Sequence, residues 1–390
     1  MYVCDLTQFY SERSGGIKTY LEAKGEYGVR TGAWKQLLIV PYKRNEVLEV
    51  PGRKIYRVHG VPVPWNMQYR LILNPLACLR ILRKESPDVL EVGSPDLLPW
   101  SALYYARTRK VPCLGFYHSD FSDTYFRVSA QSWNTWRLAS LPYTIALKYT
   151  KALYNRFDAT LAASQPLLDK LRRLGIENAT LVSLGVDSAL FAPEKRNPQL
   201  LQALGLDPSL PSVLYVGRLS KDKCFPLFLE MQRMLWERMP TNCLIAGDGP
   251  MSPQALELQR EYPQAVRYLG YLPKQTLSVL YASVDVLVMP SRYETFGLAA
   301  LEALSSGTPV VFQKNLGFLC ADMGQASFPV ADPSPGAFAD AVAKVLGMDR
   351  ERLGSLARKL VLDRFSWNRT FESLKALYVA LRDQRSLLGR

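Results

Sequence analysis

The chain has 390 residues, 48% hydrophobic and 21% charged, the composition of a globular protein with apolar material for two cores. A net charge of +13, with 26 Lys and Arg against 17 Asp and Glu in residues 1–195, favours anionic partners: nucleic acid, acidic lipid or phosphorylated substrates. No run of eighteen apolar residues occurs, six scattered cysteines form no C-x-x-C pair, and the two histidines are His59 and His118; this excludes a spanning helix and a zinc framework and argues against a disulfide scaffold.

The first run, MYVCDL, carries Asp5 and has no basic segment ahead of it, so it reads as a strand rather than a signal peptide, and the cytosolic side is expected. Gly15-Gly16 follows, then the helical pattern IKTYLEAKGEY. A glycine pair at that point lets backbone approach a phosphate, although turns use Gly-Gly freely. Strand-like QLLIV, VLEVG, VPCLGFY, ATLAAS and ATLVSLGV then alternate with helix-like PLACLRILRKE, WSALYYARTRK and PLLDKLRRLG. Such alternation predicts parallel sheets covered on both faces. His118 directly follows VPCLGFY, with Asp120 two residues on. Open α/β sheets bind ligands at strand ends, though a lone histidine also serves as a hydrogen-bonded structural residue.

Between Asp123 and Asp158 there is no acidic residue. The stretch carries Arg127, Arg137, Lys148, Lys151 and Arg156 among Trp133, Trp136, Tyr143, Tyr149 and Tyr154. Bases mixed with aromatics suit an anionic membrane surface; a helix with its aromatics in the core and its bases in water would show the same pattern.

Pro and polar residues fill 188–211, and the strand rhythm restarts at Val213 with SVLYVG, TNCLIAG, AVRYLGY, VDVLVMP and TPVVF. The predicted domains are 1–190, a linker 191–210, a second α/β domain 211–365 and a C-terminal helix in 366–390 that packs back towards the first domain. Two doubly wound domains would leave a cleft where strand ends meet ligands. In GRLSKDK, Arg218, Lys221 and Lys223 follow a strand; a rigid fork of donors beside a point charge suits a diphosphate, and a solvated basic loop is the plain alternative. In PSRYETFGLAALEALSSG a strand runs into a helix of small residues, with Gly297 near its start, where backbone N–H groups lack partners. Glu294 before that helix and Glu302 within it suit vicinal hydroxyls, which a carboxylate binds two at a time. A capping acid and a solvated helix residue would give the same spacing. Phosphates held between two hydroxyl-rich groups describe a nucleoside diphosphate sugar.

At these motifs the chain resembles the retaining glycosyltransferases of family four, with the GT-B fold: GRLSKDK, AGDGP, YLGYLP and PSRYETFGLAALEALSSGTPVV in the second half, SGGIKTY, YHSDF and LGVDSALFAP in the first. The resemblance implies two Rossmann-like domains and a metal-independent enzyme without cofactor. It implies that Arg218 and Lys223 hold the donor diphosphate, Glu302 the ribose and Glu294 the transferred sugar. The amides around Phe296, Gly297 and Leu298 would face phosphate and sugar, Gly16 the diphosphate, and His118 the reactive face of the sugar. Cys224 stands where the family often has Gly or Asn. A UDP- or GDP-sugar donor is expected, with a lipid or lipid-linked acceptor as in glycolipid or polysaccharide synthesis, no nucleic acid, and a position at the cytoplasmic face of the membrane. Arg127, Trp133, Trp136, Arg137, Lys148 and Lys151 are the expected membrane or acceptor surface. Two other classes stay open: a catalytically inactive nucleotide-binding GT-B sensor or scaffold, and a basic nucleic-acid binder, although no recognised nucleic-acid module occurs.

Overall fold

The computed structural model describes residues 1–10, 15–63, 66–118, 136–292, 294–314 and 326–388, and of residues 66–68, 136–142 and 388 the backbone alone. The chain forms two compact units, Met1–Leu184 with Trp367–Arg390, and Gly185–Ser366.

In the first unit the strands are β1 (Tyr2–Leu6), β2 (Lys35–Tyr42), β3 (Glu46–Val50), β4 (Arg53–His59), β5 (Val61–Val63), β6 (Asn66–Leu71), β7 (Val89–Val92), β8 (Cys113–Phe116), β9 (Ala159–Ala162) and β10 (Ala179–Leu181). Eight of them make one sheet in the order β10-β9-β8-β7-β1-β2-β4-β3. All its pairings are parallel except β3 with β4, a hairpin turned by Pro51-Gly52. The near-complete burial of β1, β7, β8 and β9 follows from this, since parallel strands covered by helices are buried on both faces. Strand order reverses between β1 and β7, so the carboxyl ends of those strands flank the crevice of this sheet. The helix Trp367–Leu388 belongs here: Phe371, Leu374 and Tyr378, spaced along one helical face, are fully buried.

The second unit has six strands, β11 (Ser212–Val216), β12 (Asn242–Ala246), β13 (Val266–Gly270), β14 (Val286–Met289), β15 (Val310–Gln313) and β16 (Ser327–Val330). They lie in the order β13-β12-β11-β14-β15-β16, all parallel. Counted within the unit this is 3-2-1-4-5-6, the doubly wound dinucleotide-binding order, whose switch point lies between β11 and β14. Residues 191–210 pack as part of this unit, with a 3-10 turn at Pro193–Lys195 and a short helix at Leu200–Ala203. Phe225, Phe228 and Met231 of the helix Phe225–Trp236 join Phe338 and Val342 of the helix Pro335–Leu346 in its core.

Candidate active site

In the second unit, the loop after β11 and the loop after β14 leave adjacent, parallel-paired strands at their carboxyl ends. The first carries Arg218 and Lys223. It is braced from behind by the turn after β12, Gly247-Asp248-Gly249: the Leu219 amide donates to the Asp248 carbonyl at 3.1 Å and the Met251 amide to the Leu219 carbonyl at 3.0 Å. Gly247 has φ +135°, and a Cβ there would lie 1.9 Å from the Gly217 carbonyl oxygen, so only glycine lets the two backbones touch. The AGDGP motif is therefore scaffolding for the basic loop.

The second loop carries Glu294 and ends in Gly297, which has φ +98° and starts the helix Leu298–Ser305. Phe296 is buried and faces Phe365, ring centroids 6.3 Å apart, so it anchors the turn while its backbone stays at the helix start. Lys223 Nζ lies 2.5 Å from Glu294 Oε2, joining the two loops across the switch point. Arg218 pairs with Asp222 at 2.7 Å within its own loop. Burial would raise the Asp222 carboxyl, but the Arg218 guanidinium and nearby hydrogen-bond donors hold it below the usual range. The turn between Ser220 and Phe225 is closed by the Cys224 amide donating to Lys221 and puts Cys224 in the left-handed region, φ +53°. Gly and Asn adopt that conformation at less cost than Cys.

Glu302 lies one helical turn further in. The residue is half-buried, its carboxyl enclosed by protein; burial pushes the acid up to about 7, against the opposing pull of Lys274 and of the Tyr281 hydroxyl. The Tyr281 hydroxyl is itself buried and makes no hydrogen bond of full geometry among the described residues. A desolvated carboxyl whose neutral form is favoured by burial is ready to exchange its environment for a pair of ligand hydroxyls.

In the first unit Gly15 and Gly16 are exposed at the start of the helix Gly16–Thr31. Nothing lies within 4 Å of where a Gly15 Cβ would be. His118 follows β8 and is half-buried, stacked on Phe116 with centroids 3.9 Å apart and set 5.2 Å from the Tyr20 ring. Burial lowers its imidazole to about 4, partly offset by Glu91, so the ring is neutral at ordinary pH. Asp120 lies outside the described residues.

Behind His118 is a buried charged cluster that the sequence reading did not pick out. Lys24 contacts Asp5 and lies 3.0 Å from Glu91, and all three are buried. Asp5 and Glu91 sit inside apolar parallel strands, and that was the available signal: an acid in such a strand needs a buried partner. Burial alone would neutralise Glu91, but the Lys24 ammonium and the hydrogen bond from Tyr378 hold its carboxyl below the usual range.

Of the expected membrane residues, Arg127 and Trp133 lie outside the described residues, as do the side chains of Trp136 and Arg137. Lys148 and Lys151 are exposed on the helix Trp136–Tyr154. That helix meets the helix Leu98–Arg109 where Trp100 Nε1 donates to the Tyr149 hydroxyl, at 3.3 Å, and the Arg156 guanidinium covers the Trp100 ring. The helix Pro75–Glu85 joins them through Ser101 Oγ, which donates to the Pro75 carbonyl at 2.9 Å. Leu76, Trp100, Tyr104 and Ile145 are between 42 and 58% exposed on these three helices. Glu85 is the single acid among them, and it is turned to Lys54 and Tyr56. The exposed apolar residues of the neighbouring helices were not picked out from the sequence. No helix among the described residues is long and apolar enough to cross a membrane.

Two doubly wound units, the second with the 3-2-1-4-5-6 order and an acid–cation pair at its switch point, have the architecture of the GT-B class of nucleotide-sugar transferases. Residues 210–348 match the family described as Glycosyl transferases group 1, and residues 14–190 match Glycosyltransferase Family 4. The chain belongs to glycosyltransferase family 4 and is a glycosyltransferase. It is similar to GDP-mannose-dependent alpha-mannosyltransferases of Corynebacterium glutamicum and Mycolicibacterium smegmatis. The identities are 32% and 31%, over 70% and 85% of this chain and 63% and 84% of theirs. A GDP-mannose-dependent alpha-(1-6)-phosphatidylinositol dimannoside mannosyltransferase of Mycobacterium tuberculosis is 27% identical over 98% of this chain and 97% of its own. Sucrose-phosphate synthase of Thermosynechococcus elongatus superimposes with a TM-score of 0.78 at 22% identity, over 98% of this chain and 99% of that one, a likeness of fold alone.

Proposed function

We propose that the protein transfers a sugar, with retention, from a nucleoside diphosphate sugar to a hydroxyl of a lipid or lipid-linked glycan, and that GDP-mannose is the donor. The observation that carries the reading is the Lys223–Glu294 pair at the β11/β14 switch point, with Glu302 one turn inside the helix that follows. Donor base and acceptor class are drawn from the names of the relatives, two of which are GDP-mannose-dependent alpha-mannosyltransferases and one of which acts on a phosphatidylinositol dimannoside.

Breaking the anomeric bond leaves an oxocarbenium-like sugar and puts the bonding electron pair on the departing diphosphate. Arg218 and Lys223 face the growing negative charge, together with the first amides of the helix Leu298–Ser305, where the dipole is positive. Stabilisation of that kind acts on the transition state more than on the bound donor, which is why it speeds the reaction. Glu302 takes the ribose hydroxyls, and Glu294 takes a sugar hydroxyl, leaving Lys223 to the phosphate. On the acceptor side, Gly16 meets the diphosphate and the neutral His118 imidazole meets the sugar as a hydrogen-bonding group without charge. The acceptor hydroxyl attacks from the face the diphosphate leaves and passes its proton to the departing phosphate oxygen, which accounts for retention without an enzyme nucleophile. The apolar and basic face around Trp100, Tyr104, Ile145 and Lys148 supports a lipid acceptor presented at an anionic surface.

The test is thermal unfolding with GDP and with UDP, followed by a transfer assay with GDP-mannose. A nucleotide at a hundred times its Kd stabilises the fold by about 2.7 kcal/mol. GDP should raise the midpoint in the parent and not in Arg218→Ala. A rise with UDP alone would overturn the donor assignment, and no rise with either would overturn the site.

A further inference from the structure

The cluster behind His118 joins three parts of the first unit. Tyr20 lies on the helix Gly16–Thr31, and its hydroxyl donates to Glu91 Oε1 at 2.8 Å. Tyr378, on the C-terminal helix, donates to the other oxygen of the same carboxylate. Lys24 lies 3.0 Å from that second oxygen and is balanced on its far side by Asp5, which also accepts from Gln36 Nε2 at 2.8 Å. The Tyr20 ring, fixed at its hydroxyl, packs against His118 and against Trp367 and Phe371 of the C-terminal helix, with centroids 5.2, 6.3 and 5.9 Å away. Phe116 stacks on the imidazole. Gly93 completes the enclosure, since a Cβ there would come within 3.0 Å of His118 Cδ2.

We propose that the C-terminal helix positions His118 for the transfer reaction through the chain Tyr378–Glu91–Tyr20. A buried ion pair seldom stabilises a fold more than apolar packing of the same volume would. This one sits in the crevice of the first sheet, against the one histidine that the site reading uses. Each link removes a freedom. Tyr378 and Lys24 fix one oxygen of Glu91, the other oxygen fixes the Tyr20 hydroxyl, and the Tyr20 ring in turn lies against the imidazole, which stacks on Phe116. Tyr378 and Glu91 are positioning residues, because they reach the sugar only through His118. The inference rests on the proposed role of His118.

The experiment compares Tyr378→Phe, which removes one hydroxyl and keeps the ring, with Tyr20→Phe, which does the same at the next link. In both, kcat for transfer should fall, by up to about 10²-fold for a misplacement of about 1 Å, with the KM for donor within about twofold of the parent. The imidazole resonances of His118 should shift in both; the protein has one other histidine, His59, so His59→Gln assigns the spectrum. A lowered unfolding midpoint with kcat and the His118 resonances unmoved would overturn the inference and leave the cluster structural. His118→Ala beside these separates the two readings. If it transfers at the parent rate, His118 has no part in the reaction and both readings fall. If it loses transfer while Tyr378→Phe and Tyr20→Phe behave as the parent, the positioning role alone falls.

Discussion

The Lys223 ammonium lies 2.5 Å from the Glu294 carboxylate, so the cation proposed for the donor diphosphate and the acid proposed for its sugar are each other's partner across two loops. The pair is about a quarter exposed, and a donor bound as proposed would exchange it for a Lys223–phosphate contact and a hydrogen bond from a sugar hydroxyl to Glu294.

Glu294→Gln should separate binding from chemistry. The neutral amide releases Lys223 to the phosphates, so GDP affinity is kept or raised, while kcat falls by a factor of about 10²–10³ for the lost transition-state contact. Lys223→Ala should weaken both. Calorimetry with GDP set beside a transfer assay checks this, and equal losses in affinity and rate for Glu294→Gln would sink it.

Glu302 makes stability depend on pH. Its folded-state acid constant, about 7, is raised above the ordinary 4.5 by burial, so the folded protein holds a proton there that the unfolded chain has released. The contribution is complete below pH 4.5 and is lost as pH rises to 7. Relative to Glu302→Gln, the parent should lose about 1–3 kcal/mol between pH 4.5 and 7.5. Denaturant titrations of both proteins at the two pH values measure it, and parallel curves would remove the shift.

His118 acts in the opposite direction. Burial lowers its imidazole to about 4 from 6.5, so its contribution is present above pH 6.5 and is lost as pH falls towards 4. Its imidazole carbon signals should stay fixed between pH 8 and 5.5. A titration step inside that interval would show a ring that is charged at working pH, and the neutral hydrogen-bonding role would fail.

Cys224 occupies a left-handed position, φ +53°, which costs a non-glycine residue about 1–2 kcal/mol. Cys224→Gly removes that cost and also a half-buried side chain, so its unfolding midpoint should stay near the parent value. Cys224→Val, β-branched at the same angle, should be less stable than the glycine variant by about 1–2 kcal/mol. Equal midpoints for the two variants would mean that the turn relaxes out of the left-handed region.

The face around Trp100 should sediment with vesicles rich in phosphatidylglycerol and remain in solution with neutral phosphatidylcholine. Each base near an anionic surface is worth about 1 kcal/mol, so Lys148→Ser with Trp100→Ser should weaken binding about tenfold or more, and salt should do the same to the parent. Equal partition to both vesicle types would argue against an anionic lipid surface.

Much of this was legible in the residues. SVLYVG and VDVLVMP read as buried strands and became β11 and β14, and WNRTFESLKALYVALRDQRSLL became the C-terminal helix. The β3–β4 hairpin was not read, because charged residues break the apolar runs in EVLEV and RKIYRVH and β3, at the sheet edge, is mostly exposed. SFPV, with Pro329, is a strand only by virtue of its place beside β15. At the site, Glu294 and Glu302 could be picked from spacing beside a helix start, but the reach of Lys223 to Glu294 is a long-range pairing that periodicity cannot encode. Lys24 falls in a helical pattern where a lysine ordinarily points to water; its burial follows from Asp5 and Glu91, on strands far away in sequence.

The bond from Tyr378 to Glu91 also has a bearing on the order of events during synthesis. β1, the helix with Lys24, and β7 are made first, and they bring two carboxylates and one ammonium to the middle of a sheet. The hydroxyl that completes Glu91 is carried by the last helix, after the whole of the second unit. At about 5–20 residues per second, the early half therefore waits tens of seconds or less for its final partner. Until then its central acid lacks one of its donors, and the first unit is finished only when the helix Trp367–Leu388 has packed against it.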